Sequence, residues 1–233
     1  MLFLYQLILT IIILISPALI VFRILKNKEH RSRYKEKFGF YSKRRVDGKL
    51  IWFHGASVGE ILSIIPLVKK YEKDKNINQI LITSSTLSSS KIIKKFKFKK
   101  TIHQFYPVDH IFITQKFLKY WKPNVAIYIE SEVWPSMFNE LDRKKIPLIL
   151  LNTRITKKSF NRWQIFSNFA NQVFGKISLA LPQNQETLKY LKLLKVKNIK
   201  IAGNLKYYGQ ENNKDHVVKS LKNKFKNYKV WCA

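Results

Sequence analysis

The stretch "KLIWFHGASVGE" (49–60) decides how the chain is read. Its first half is a short apolar run of residues that favour extended backbone. Its second half changes to small residues and ends on a carboxylate. That is the pattern of a buried strand running into a loop and then a helix. Three chemistries fit the loop. Gly55-x-Ser57-x-Gly59 is the spacing of a nucleophile elbow, which lifts a serine on a sharp strand-to-helix turn. Ser57-x-x-Glu60 is the spacing of a capping box, in which serine and glutamate satisfy free amides of the first helical turn. In the third, a loop that Gly55 and Gly59 open to close approach presents Glu60 as a general base. A carboxylate in a first helical turn is favoured in its ionised form by the helix dipole, so Glu60 is expected to be ready to take a proton at neutral pH.

Similar runs recur along the chain: "QILITSS" (79–85), "TIHQFY" (101–106), "NVAIYIE" (124–130), "PLILLN" (147–152), "ISLALP" (177–182) and "NIKIAG" (198–203). Helical periodicity fills the gaps at 60–71, 87–98, 110–121, 135–144 and 185–194. Short continuous apolar strands alternating with helices imply an α/β domain, a Rossmann-like parallel sheet covered on both faces. There is no G-x-G-x-x-G, so a dinucleotide site is not supported. Ligands of such sheets bind outside the carboxyl ends of the strands. This rule gathers "HGASVGE", "SST" (84–86), "YPVDH" (106–110), "ESEVWP" (130–135), "NTR" (152–154), "PQN" (182–184) and "GNLK" (203–206) around one crevice.

The three readings carry different requirements. An elbow needs an oxyanion loop after an earlier strand, and "LIWF" is the first strand; it also needs a histidine and an acid downstream. A cap needs neither glycine and has no use for a crevice. A base needs Glu60 at a strand end, where Asp109, Glu130 and Glu132 also fall.

Composition narrows the partners. The 233 residues carry a net charge of +30 from 44 basic and 14 acidic side chains, and 36 of the 44 are lysine. The lysines are spread along the chain and form no nucleic-acid-binding motif, so an anionic membrane surface is the expected partner and nucleic acid is not. The single Cys232 excludes an internal disulfide. The five histidines lack metal-ligand spacing, so no protein-bound metal is expected.

From Leu2 to Phe22 there are 21 residues without charge, roughly 31 Å as a helix and about one hydrocarbon core. Basic residues follow rather than precede the run, from Arg23 to Lys37, and no small-x-small cleavage site ends it. A single-pass membrane anchor with the remainder in the cytoplasm is expected. A helix lying in the interface is the alternative, though the stretch lacks a polar face. The expected order is an anchor at 1–25, a basic linker at 26–48, a Rossmann-like domain at 49–225, and at 226–233 ("YKVWCA" and the residues before it) the start of a further domain cut short.

The chain resembles the N-terminal, acceptor half of the 3-deoxy-D-manno-octulosonic acid (Kdo) transferases, inverting enzymes of the GT-B fold. The residues that carry the resemblance are "RSRYKEKFGFY" (31–41), "FHGASVGE" (53–60), "IPLVKKY" (65–71), "YPVDH" (106–110), "IESEVWPSMF" (129–138), "KKIPLILLNTRITKKSF" (144–160), "PQNQET" (182–187) and "IAGNLKY" (201–207). The resemblance implies transfer of Kdo from CMP-Kdo to a lipid A precursor at the cytoplasmic face of the inner membrane, without a metal or other cofactor. It implies Glu60 as the general base and Glu130 and Lys206 as transition-state stabilisers. Gly55, Ser57, Gly59, Glu132 and Arg154 are the expected substrate-binding positions, with Arg154 suited to an anionic sugar or phosphate. The family commonly has Lys-Phe-Asp where this chain has Lys206-Tyr207-Tyr208, which removes an acid beside the lysine. The donor half of a GT-B enzyme lies in its second domain, so these 233 residues alone are expected to transfer little or no Kdo.

Overall fold

A computed structural model describes residues 1–203 and 205. Lys206, His216, Cys232 and the expected start of a further domain at 226–233 lie outside the described residues. Six parallel strands form one sheet: β1 (Leu50–His54), β2 (Gln79–Ser84), β3 (Thr101–Phe105), β4 (Val125–Ile129), β5 (Leu148–Thr153) and β6 (Leu179–Pro182). Their order is β3-β2-β1-β4-β5-β6. The chain therefore winds outward from β1 in one direction and then outward from β4 in the other. The junction between β1 and β4 is the switch point at which such sheets open a crevice.

The alternation within β1 shows how both faces are covered. Leu50 and Trp52 join a cluster with Leu81, Phe117, Tyr128 and Phe138. Ile51 and Phe53 join one on the opposite face with Ile61, Ile64, Val68 and Ile82. The second face is closed by α2 (Val58–Lys73) and α3 (Leu87–Lys94), which supply Ile61, Ile64, Val68 and Ile93. The first is closed by α4 (Ile111–Trp121), α5 (Pro135–Arg143), α7 (Ser167–Phe174) and α8 (Gln185–Leu193). Every residue of β1 and β2 is buried, which is why the apolar runs Leu50–Phe53 and Ile80–Ile82 are unbroken.

Three departures from the sequence reading have physical causes. Helices α6 (Lys157–Gln164) and α7 were not read from the sequence: each is only eight residues long, and α6 buries no residue fully. It is held by ring contacts instead: Phe160 stacks on Tyr190 at 4.4 Å and Trp163 meets Phe174 edge-on at 5.2 Å. The run at 198–203 is not a strand; it makes one bridge, Ala180 to Ile199, at the sheet edge. Part of the stretch expected as a linker is built into the domain. A 3-10 helix (Arg33–Phe38) lies against β3 and buries Glu36. Glu36 accepts two bonds from Arg33, at 2.7 and 3.0 Å, one from the amide of Phe105 at 2.8 Å, and one from Ser42. Arg33 also donates to His103 Nδ1 at 2.9 Å, so His103 Nε2 carries the proton and donates to Ser84 Oγ at 2.8 Å. Burial, with Arg33 and Lys94 nearby, pushes the pKa of His103 down to about 3 and keeps it neutral.

The N-terminal helix α1 (Leu2–Leu25) has the length and apolarity to cross a membrane. It does carry a polar stripe, contrary to the sequence reading. Tyr5, Gln6 and Thr10 all hydrogen-bond to the domain.

Removing the Glu36 carboxylate leaves Arg33 uncompensated in a mostly buried site. Glu36→Ala is expected to cost about 3–5 kcal/mol of unfolding free energy in urea denaturation.

Candidate active site

The loop after β1 turns into α2 at Ser57, whose backbone is extended. Ser57 Oγ accepts the amide of Glu60 at 3.3 Å, which satisfies a free donor of the first turn. Glu60 answers, but not as in the usual box: its Oε2 accepts the amide of Ala56 at 2.8 Å, and its Oε1 accepts Ser57 Oγ at 2.7 Å. The glutamate thus reaches back one residue past the cap and lies over Gly55. A Cβ on Gly55 would stand 3.1 Å from the Glu60 Cβ and 3.2 Å from Ile61 Cδ1, so the close approach that this glycine permits is to Glu60 itself. Gly59 has open space beside it.

Glu60 is half-buried, and burial is the largest influence on its proton. It pushes the pKa above the ordinary 4.5, against the bonds from Ser57 and Ala56, while the like charges of Glu132 and Glu130 push in the same direction as burial. Desolvation wins, and Glu60 holds a proton more tightly than an exposed glutamate does.

The two neighbouring carboxylates come from the end of β4. Glu130 adopts a left-handed backbone, φ +60°, while its amide still bonds Leu151 O at 3.0 Å. A non-glycine residue held there marks local strain at the switch point. Glu132 is fixed by Trp134 Nε1 at 3.0 Å and faces His54 Nε2 at 3.4 Å. His54 ends β1, is fully buried, and places Nδ1 3.0 Å from Thr83 Oγ1. Its ring lies 3.9 Å from that of Tyr106, whose hydroxyl meets Tyr128 at 3.0 Å. His54, Tyr106 and Trp134 form a run of ring contacts beneath these loops. Sequence reasoning missed His54 as a partner of Glu132; the only signal was a polar residue at the last position of an apolar strand.

Serine chemistry has no support in this arrangement. Among the described residues no histidine meets Ser57: His54 faces Thr83 and Glu132, His103 faces Ser84, and His110 faces Thr10. The cap and a carboxylate in a crevice are both realised, by the same residue pair.

Residues 32–208 match the family described as 3-Deoxy-D-manno-octulosonic-acid transferase (kdotransferase). The chain belongs to the Kdo transferase family. A Kdo transferase of Rickettsia bellii is 35% identical over 212 residues, covering 89% of this chain and 50% of the relative. One of Haemophilus influenzae is 27% identical over 222 residues, covering 91% and 51%. The chain spans about half the length of the curated relatives it matches, and corresponds to the N-terminal half of a Kdo transferase. Among solved structures, UDP-GlcNAc 2-epimerase of Neisseria meningitidis has a TM-score of 0.50 at 12% identity, covering 76% of this chain and 54% of its own. The UDP-N-acetylglucosamine 2-epimerase of Rickettsia bellii gives 0.50 at 12%, covering 77% and 51%. That likeness is one of fold, a Rossmann-like sheet with flanking helices.

Of the positions that the Kdo transferase resemblance implicates, Glu60, Glu130 and Glu132 are brought together, with Gly55 and Ser57 supporting Glu60. Arg154 is exposed at the end of β5, and its carbonyl accepts Ser131 Oγ from the β4 loop. The expected lysine, Lys206, lies outside the described residues. Its neighbour Leu205 donates its amide to Asn152 Oδ1 at 3.1 Å, and Asn152 itself sits at φ +54° in the bulge of β5.

Because Ser57 caps α2, Ser57→Ala is expected to lower stability by about 1 kcal/mol in thermal or urea denaturation. Ester hydrolysis, measured beside it, is expected to be absent from both proteins.

Proposed function

We propose that this chain is the acceptor half of an enzyme that moves Kdo from CMP-Kdo to a hydroxyl of a lipid A precursor. In this reading Glu60 takes the proton of the acceptor hydroxyl. The freed oxygen attacks the anomeric carbon of Kdo, the bond from that carbon to the phosphate oxygen breaks, and CMP departs with the electron pair. The anomeric carbon develops positive charge on the way, which Glu130 offsets. Lys206 meets the charge on the departing phosphate, and Arg154 holds an anionic group of a substrate. These side chains carry the charges without a metal. The reaction takes place on the cytoplasmic face of the inner membrane, with α1 and the basic surface keeping the protein at its lipid acceptor.

One observation carries the proposal: a half-buried carboxylate, flanked by two others, stands at the sheet's switch point with its proton affinity raised. A base works best when its pKa is moved toward the operating pH, and burial moves Glu60 in that direction. The same raised value fixes the pH dependence. Transfer requires ionised Glu60, so kcat/KM falls as pH drops through its folded pKa, and that fall begins above 4.5.

The test fuses this chain to the C-terminal half of the Rickettsia bellii relative and supplies lipid A precursor with CMP-Kdo, UDP-sugars or GDP-sugars. Transfer from CMP-Kdo alone is expected, and Glu60→Gln should lower it by roughly 10²–10⁴-fold with the fold retained. Undiminished transfer by folded Glu60→Gln would leave Glu60 as a helix cap only. Use of another nucleotide sugar in place of CMP-Kdo would overturn the donor assignment.

A further inference from the structure

We infer that α1 lies flat in the headgroup–acyl boundary of an anionic membrane, strapped lengthwise to the domain, and does not cross the bilayer. The inference deepens the proposed function, in which α1 is the membrane-contacting element.

Hydrogen bonds hold α1 to the domain from Tyr5 to Thr10, and the rest of its length borders the domain across a cleft and a groove. Leu2 shares a cleft with Pro135, Asn139 and Lys176. Tyr5 donates to Asp109 Oδ2 at 2.9 Å. Gln6 grips two helix starts at once, donating to Ser136 Oγ and accepting the Ile111 amide at 2.9 Å. Thr10 Oγ1 lies 3.2 Å from His110 Nε2. Ile13, Pro17, Ile20 and Ile24 then line a groove with Tyr34 and Phe38. The near end is thus bonded from Tyr5 to Thr10, and the far end is tied through Glu29, which accepts from Arg23 and from Lys37.

A helix fastened in this way could cross a bilayer only by taking the domain with it. The polar loop at 107–110 and the start of α5 would then enter hydrocarbon, where irregular backbone is not tolerated against lipid. Detaching α1 is no better. It would strip Tyr5 and Gln6 of partners just where they would enter the hydrocarbon, and leave Thr10 only its bond to the Gln6 carbonyl. It would also take one donor from Asp109, which is 1% exposed. Asp109 already caps α5 by accepting the amides of Ser136 and Met137 at 2.9 and 2.8 Å.

The outward side of α1 suits a lipid surface. Phe3, Leu7, Leu14 and Leu25 are exposed along it, and Phe40 and Phe112 are exposed beside it. Phe112 packs on His110, and Phe40 lines the groove with Ile20. The border is basic: Lys26 lies 4.3 Å over the Phe22 ring and Lys116 4.1 Å over Phe40. Apolar rings rimmed by ammonium groups match an anionic interface. Asp109 and Ser136 join this face to α5, which directly follows the Glu130–Trp134 loop, so the crevice is held beside the membrane plane.

Nitroxide depth measurements in phosphatidylethanolamine–phosphatidylglycerol vesicles test this without donor or acceptor, so failure here leaves the transfer reading untouched. Labels go on Leu4→Cys, Ile11→Cys and Phe22→Cys in a Cys232→Ser background. At 100° per residue these three share one face to within about 20°. Equal, shallow depths are expected. A label at Ile11 about 9 Å nearer the bilayer centre than those at Leu4 and Phe22, as in a helix crossing with its midpoint near residue 13, would mean that α1 crosses and overturns the inference. So would labels shielded from lipid, which would make the face a contact between copies of the chain.

Discussion

The arrangement turns on one carboxylate. Glu60 is tied to Ala56 and Ser57 at the start of α2, and so cannot swing into water. Two donors alone would make it a stronger acid. Burial and the adjacent Glu130 and Glu132 make it a stronger base, and this second set wins. The same contacts that cap the helix therefore fix the position of the carboxylate proposed to take the proton. A helix cap and the proposed general base are therefore compatible in one geometry.

The sheet supplies that geometry. β1 and β4 are neighbours whose following helices go to opposite faces, so the loop carrying Glu60 and the loop carrying Glu130 and Glu132 part above the sheet and leave a crevice between them. Glu130 and Asn152, at the ends of adjacent strands, both take left-handed backbones. The rings of His54, Tyr106, Tyr128 and Trp134 pack together beneath these loops, and Trp134 holds Glu132 in place. Asp109 extends the same framework outward. Burial raises its pKa to about 6 despite four donors, and it joins the helix after the Glu132 loop to α1.

The sheet was legible because its strands are buried on both faces, and burial writes itself as uninterrupted apolar residues. Glu60 was legible because cap and crevice share a short spacing. What escaped were features written in three dimensions. α6 is eight residues long and buries none of them fully, and aromatic stacking holds it. The 3-10 helix reads as a charged linker because its buried residue, Glu36, is a carboxylate paired with Arg33. The polar stripe of α1 is three residues in an apolar run, and only their partners on α4, α5 and the preceding loop give it meaning. The direction of the Glu60 shift was hidden for the same reason: a helix start is visible in sequence, and the depth of burial is not.

The most direct test of this balance is the titration of Glu60 itself, followed by the chemical shift of its 13C-labelled carboxyl. A midpoint above 4.5, falling when Glu132→Gln removes a neighbouring charge, is the predicted result. A midpoint at or below 4.5, unmoved by that change, would show a solvated helix cap and contradict the account.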